Sequence, residues 1–171
     1  MQRLSKNEHF QATLRVNEKM LRERYDMELV TRFLCLRMEN VENLVNTGDF
    51  GEYLNERILS LFNNNQLDWV EEERIFQKTF EFLDTSMSDD VFCKYFDDVD
   101  RFKGALSVGA FEIIALGLGR RNGEVPVDFD LKDHIKDLWR KVNSGEISWR
   151  GNSASGRLSK TIPLADHFYE N

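Results

Sequence analysis

Apolar residues recur at Met27, Val30, Leu34, Met38, Val41 and Val45, spacings of three and four that lie along one face of a helix. A second apolar line, Leu29–Phe33–Leu36, covers much of the remaining surface. The pattern therefore predicts an enclosed helix over 25–45, with Asn46-Thr47-Gly48 as its stop, and the rest of the chain is organised around it. Before it, residues 7–20 read as a helix with Phe10 and Leu14 inward and Val16 as a further inward position. After it, Asp49-Phe-Gly-Glu52 resembles a capping box, opening a helix through Phe62 whose inner face is Tyr53, Ile58, Leu61 and Phe62. Asn63-Asn64-Asn65 breaks that helix.

Asp68-Trp-Val-Glu71 is a second cap, for a helix reaching about Met87. Its inward residues are Phe76, Phe80 and Leu83, with Ile75 and Phe82 on the flank, and Glu71 to Glu73 oppose the positive end of the helix dipole. Ser88-Asp89-Asp90 starts a short helix through Tyr95. The next helix is predicted over 99–118, with Phe102, Leu106, Gly109, Ile113 and Leu116 on one face. Gly104, Ala105, Ser107, Gly109 and Ala110 keep one side of it thin, and that side is expected to pack against the 25–45 helix. A loop over 120–128, a helix over Leu131–Val142, a loop over 143–155 and a helix over 158–169 complete the chain, with Pro163 restricting the start of the last. The expectation is an all-α fold of seven or eight helices, an irregular bundle forming one domain over 1–171.

Composition changes this picture only in places. A chain of 171 residues with 13 Phe and 3 Trp can bury a substantial core, and 2 Pro give few breaks. The net charge of −7 argues against a sequence-blind nucleic-acid binder. Its distribution matters more: residues 1–37 carry +3, residues 38–100 carry −12 and residues 101–171 carry +2. Cys35 and Cys93 offer neither a disulfide framework nor a metal spacing, which fits a reducing, cytoplasmic setting. No uninterrupted apolar run approaches a membrane span.

Few motifs carry chemistry. Gly117-Leu-Gly119-Arg-Arg-Asn-Gly123 has its glycines at offsets 0, 2 and 6, whereas a dinucleotide loop needs 0, 2 and 5, so it reads as a helix stop and a turn. Asp133-His134-Ile135 resembles the opening of an HNH nuclease motif, but Asp137 stands where Pro is expected and Leu131, Ile135, Leu138, Trp139 and Val142 keep a helical rhythm. His9, His134 and His167 are isolated, and Asp98-Val-Asp100 and Asp128-Phe-Asp130 lack the remainder of a calcium loop, so no metal or cofactor is called for. Two candidate clusters remain. Arg24, Asp26, Glu28 and Arg32 form either a structural ion-pair group or a ligand-facing one, with Glu28 and Arg32 in the favourable i,i+4 order. Arg140, Lys141, Arg150, Arg157 and Lys160, interleaved with Trp139 and Trp149 against the single acid Glu146, suit contact with a polyanion through Trp149 and the cations.

The run Arg24-x-Asp26-x-Glu28-Leu29-Val30-x-Arg32-Phe33-Leu34 resembles the helical signature of GmrSD-type restriction proteins, with further matches at Phe76-x-x-Thr79-Phe80, Phe102-x-x-Ala105-Leu106 and Ser153 to Phe168. In that family a ParB/sulfiredoxin-like, nucleotide-handling half precedes a helical half, and the likeness here covers the helical half alone. The family's Asp-Gly-Gln-Gln-Arg motif, tied to nucleotide hydrolysis, does not occur in this chain. The resemblance implies a non-catalytic scaffold or interaction module of a restriction or phage-defence system, acting with an N-terminal half or a protein partner. Two other classes stay open: a nucleotide- or nucleic-acid-binding component contributing residues to a shared nuclease or NTPase site, and a free-standing adaptor or regulator. Contact with nucleic acid is expected to be weak, and contact with membrane is not expected.

Overall fold

Helix α4 (Tyr25–Leu36) buries Leu29, Phe33 and Leu36 of one apolar line and Val30 and Leu34 of the other, together with Cys35, whereas Met38 is 42% exposed. These assignments come from a computed structural model that describes residues 1–44, 48–64, 67–151 and 153–170, the Leu21 side chain excepted. The continuous helix expected over 25–45 is not formed. It stops at Leu36, because Arg120 reaches across and donates to the carbonyls of Leu36, Arg37 and Glu39. Those carbonyls would otherwise be left open at a helix end. A separate α5 (Val41–Leu44) follows, while Val45, Asn46 and Thr47 lie outside the described residues.

The first expected helix is also divided. It becomes α1 (Gln2–Ser5), α2 (Glu8–Ala12) and α3 (Glu18–Arg22). Thr13 closes α2 by turning both its N–H and its hydroxyl onto the Phe10 carbonyl. Arg15 is then drawn to Asp89 and Asp90, and its carbonyl accepts the Leu106 N–H. Arg24, in the left-handed region at φ 59°, makes the corner into α4.

Local capping chemistry sets the next two helices where the sequence places them. Asp49 accepts from the Glu52 N–H at the start of α6 (Phe50–Asn63), and Asp68 accepts from Val70 and Glu71 at the start of α7 (Trp69–Met87). The inner face of α6 differs from expectation: Leu54 and Leu61 are buried, whereas Phe62 is 49% exposed and stacks on Trp69 with centroids 4.7 Å apart. Asn65, read as part of a helix breaker, lies outside the described residues. From α7, Phe76 and Phe80 meet Phe10 and Phe33 at centroid separations of 4.8–5.5 Å, an aromatic centre shared by α2, α4 and α7.

Residues 88–106 correct the sequence reading most. A 3₁₀ turn (Ser88–Asp90) leads into a hairpin, β1 (Lys94–Phe96) with β2 (Arg101–Lys103), pairing Lys94 with Lys103 and Tyr95 with Phe102. Tyr95 points inward between less buried neighbours, the period-two alternation of a strand, and packs on Phe102. Phe102 therefore belongs to the hairpin. Helix α8 (Val108–Arg120) starts later than expected, where Ser107 caps the Ala110 N–H.

From Gly109 to Gly119 every residue of α8 is buried. Its most extensive neighbour is α10 (Ala154–Phe168), with α7 and α4 as further neighbours, whereas Gly109 on the expected thin side meets Trp149. At Gly117 a Cβ would lie 2.7 Å from the Ala165 carbonyl oxygen, which is why α10 can approach so closely. Helix α9 (Leu131–Ser144) lies over the hairpin, capped by Asp130 and ended by Gly145 at φ 81°. Helix α10 starts at Ala154, somewhat before the expected Leu158, and carries Pro163 inside, so the proline does not restrict its start. The fold is mostly helical, 67% helix and 4% strand, but the described residues form ten α-helices and a small two-stranded sheet rather than seven or eight helices alone. No helix among them is long and apolar enough to cross a membrane.

Candidate functional site

Glu112, midway along α8, is the one acid in an otherwise apolar helix and is fully buried. A buried carboxylate needs donors and counter-charge. Both come from neighbouring helices. Arg157 of α10 donates from Nε to both carboxylate oxygens at 3.2 and 3.0 Å and from Nη2 at 2.9 Å. Thr161 donates at 2.9 Å, and Arg32 of α4 at 3.3 Å. Arg32 also reaches Glu28 at 2.7 Å and lies over the Phe50 ring, 4.9 Å from its centroid. Two carboxylates thus meet two guanidiniums with no net charge. Burial opposes the charge on Arg157, but its bonds to Glu112 outweigh this and hold its pKa above the usual arginine value. Burial and then the Glu28 carboxylate push the Tyr25 phenol up, so Tyr25 stays neutral beside the cluster.

The structure therefore brings Glu28 and Arg32 together with Arg157, which the sequence had grouped with the basic loop. Arg24 and Asp26 stand apart, linked to each other by a loose 3.8 Å ion pair, and Asp26 Oδ1 is buried without a hydrogen bond among the described residues. Chemically the cluster is saturated. Glu112 has no exposed surface and its oxygens are occupied from three side chains, so it joins α4, α8 and α10 rather than offering a base to a substrate.

Two further buried charge groups escaped the sequence reading. Arg37 forks onto Glu72 of α7 and donates to the Gly119 carbonyl at 3.2 Å. Glu39 accepts from the Tyr53 hydroxyl at 2.9 Å and from Asn43 at 2.6 Å, and pairs with Arg57. Burial and the bond to Glu39 push the Tyr53 phenol well up. Glu72 sits inside the acidic triplet that reads as a dipole partner, so nothing local distinguishes it. Glu112 did carry a signal, a lone acid in an apolar run.

Of the basic-loop residues, Arg140 pairs with Asp97 at 2.9 Å, Lys141 pairs with Asp137 at 2.8 Å, and Lys160 donates to the Arg150 carbonyl at 2.5 Å. Trp149 meets Trp139 edge-on at 5.1 Å and lies so close to Gly109 that a Cβ there would overlap its Nε1. Between them and the turn after α9 is a groove of about 610 Å³, lined among others by Lys94, Trp139, Asn143, Ser144, Trp149 and Arg150.

The remaining motifs resolve into secondary structure. Gly117 and Gly119 lie inside α8, and Gly123 makes a turn at φ 74°. His134 is on α9, its Nδ1 2.8 Å from the Asp130 carbonyl. His9 pairs with Asp84 and His167 with Glu170, far apart in the fold. Among the described residues no three His, Cys, Asp or Glu side chains are grouped to hold a metal ion. Neither a family model, nor a curated protein, nor a solved structure matches the chain.

Proposed function

We propose that this chain is a helical scaffold and interaction module of a GmrSD-like restriction or phage-defence system, cytoplasmic and without catalysis of its own. The nucleotide-handling chemistry would reside in an N-terminal half or in a partner chain bearing the Asp-Gly-Gln-Gln-Arg motif. The observation that supports this reading is the fate of the central charges. Glu112 and Glu28 balance Arg32 and Arg157, and the group is spent on joining three helices. Free, buried Cys35 and Cys93 are in keeping with a reducing compartment. Leu59, 62% exposed, and Val70, 79% exposed, add apolar surface that the chain's own core does not use.

The purified chain is expected neither to hydrolyse nucleoside triphosphates nor to cut DNA. Mixed with a separately expressed chain carrying the motif, it is expected to form a stable complex in light scattering after gel filtration. Turnover that co-purifies with the chain and disappears in Glu28→Gln or Arg32→Lys would reject the non-catalytic reading. A motif-bearing chain that never associates would reject the partnership.

A further inference from the structure

Most cations of this acidic protein are matched to an acid. Two that line the groove beside Trp149 are not. Lys94, from β1, lies over the Phe96 ring at 5.1 Å, and the guanidinium of Arg150 makes no ion pair or hydrogen bond among the described residues. Among the described residues, no Asp or Glu lines this groove. Two other grooves set cations and carboxylates together and carry no indole. One, about 410 Å³, places Arg15, Arg101 and Lys132 beside Asp90 and Asp100, and Arg15 is already bound to Asp89 and Asp90. The other, about 370 Å³, sets Asp137, Glu146 and Glu170 around Lys141. Among the described residues, the Trp149 groove combines uncompensated positive charge with indole rings.

A second observation is independent of charge. Trp139 is 5% exposed, and its buried Nε1–H has no hydrogen-bond partner among the described residues. A buried donor left unpaired costs free energy. Half-buried Trp149 is held against Gly109 and stands edge-on to Trp139, with Asn143, Ser144 and Ser148 supplying polar groups along the turn. The volume of about 610 Å³ falls in the range of roughly 300–1,000 Å³ usual for small-ligand sites.

We propose that this groove binds a base–phosphate unit, with the aromatic base against Trp149 and the phosphate between Lys94 and Arg150. Indole accepts the π-face of any base, and two cations with neighbouring hydroxyls suit one phosphate group. The unit can come from a free nucleotide or from a single strand. The −12 charge of residues 38–100 disfavours long polyanions, so the site is selective for one or a few nucleotides. This inference goes beyond the scaffold reading and does not rest on it.

The test uses the full chain in a Trp69→Phe background, so that emission reports Trp139 and Trp149 alone. Adenosine and uridine 5′-monophosphates, the free nucleosides, inorganic phosphate and a short single-stranded oligonucleotide are titrated at low and moderate salt. Quenching by the monophosphates, weakened about tenfold by Arg150→Ala or Lys94→Ala, is the expected result and marks a free-nucleotide site. Quenching by the oligonucleotide alone, with a salt dependence that flattens in Arg150→Ala, also supports the proposal and assigns the single strand as source. Arg150 is exposed and Lys94 half-buried outside the core, so their variants are expected to keep the fold, which circular dichroism checks. Inorganic phosphate competing as well as the nucleotides would remove the base from the site. No quenching by any probe, or quenching unchanged in the Lys94→Ala/Arg150→Ala double variant, would overturn the proposal.

Discussion

Replacing Glu112 by alanine is expected to destabilise the protein by about 3–5 kcal/mol, because removing one side of a buried pair leaves the other charge without compensation. The argument is one of charge and access. Glu112 has no exposed surface, and Arg32 retains only 10% of its side-chain surface and Arg157 only 23%. With Glu112 gone, Arg32 keeps Glu28, but Arg157 loses every bond it makes to a carboxylate. Thr161 loses its acceptor as well. Glu28→Ala provides the contrast. Glu28 is 45% exposed, and an exposed partner contributes only about 0–1 kcal/mol. Urea melts of the two variants should therefore differ several-fold in their loss of stability, with similar slopes. If Glu112→Ala cost no more than Glu28→Ala, the cluster would not be what joins α4, α8 and α10. Arg157→Ala should also lower stability, so any change it causes in ligand binding must be judged against the melting curve.

What the sequence discloses follows from how far apart the causes lie. Asp49 and Asp68 cap helices through N–H groups two or three residues away, and both starts fall where the sequence places them. The break at 37–40 and the path of the chain after Thr13 have remote causes. Arg120 binds carbonyls more than 80 positions earlier in the chain, and Arg15 is taken by Asp89 and Asp90. An apolar repeat cannot show such a partner, so it carries Met38, Val41 and Val45 into a helix that ends at Leu36. The hairpin was hidden for another reason. Its strands have three residues each, too short for alternation to stand out from helical spacing, and Phe102 fits either pattern. For the candidate sites, the Glu28–Arg32 pair is local, whereas Glu112 lies 80 residues from Arg32 and 45 from Arg157. Trp149 and Arg150 were visible as residue types. Lys94 was not, because only the folding of β1 under the turn after α9 brings it to the same groove.

Phe33→Ala is expected to cost about 3–5 kcal/mol, the usual range for a large aromatic removed from a packed core. Phe33 is fully buried, with Phe76 at 5.3 Å and Phe80 at 5.5 Å between ring centroids. Its ring tip also fills the space over Gly119, near the end of α8, where a Cβ would lie 2.6 Å from Phe33 Cζ and 2.7 Å from Cε2. That contact sets a second, linked expectation. Gly119→Ala alone gains about 1 kcal/mol of helix propensity but forces a rigid ring against two other rings, an overpacking that costs about 1–3 kcal/mol. The net effect is a modest loss. In the Phe33→Ala background the ring is absent, so the added methyl meets open space and occupies part of the void. The double variant should then be more stable than Phe33→Ala alone, a coupling of about 1 kcal/mol or more between neighbours in contact. Chemical denaturation of the four proteins in this cycle measures it. Strict additivity, or a Phe33→Ala cost below about 1 kcal/mol, would place Phe33 away from Gly119 and remove α4 from the aromatic centre of the fold.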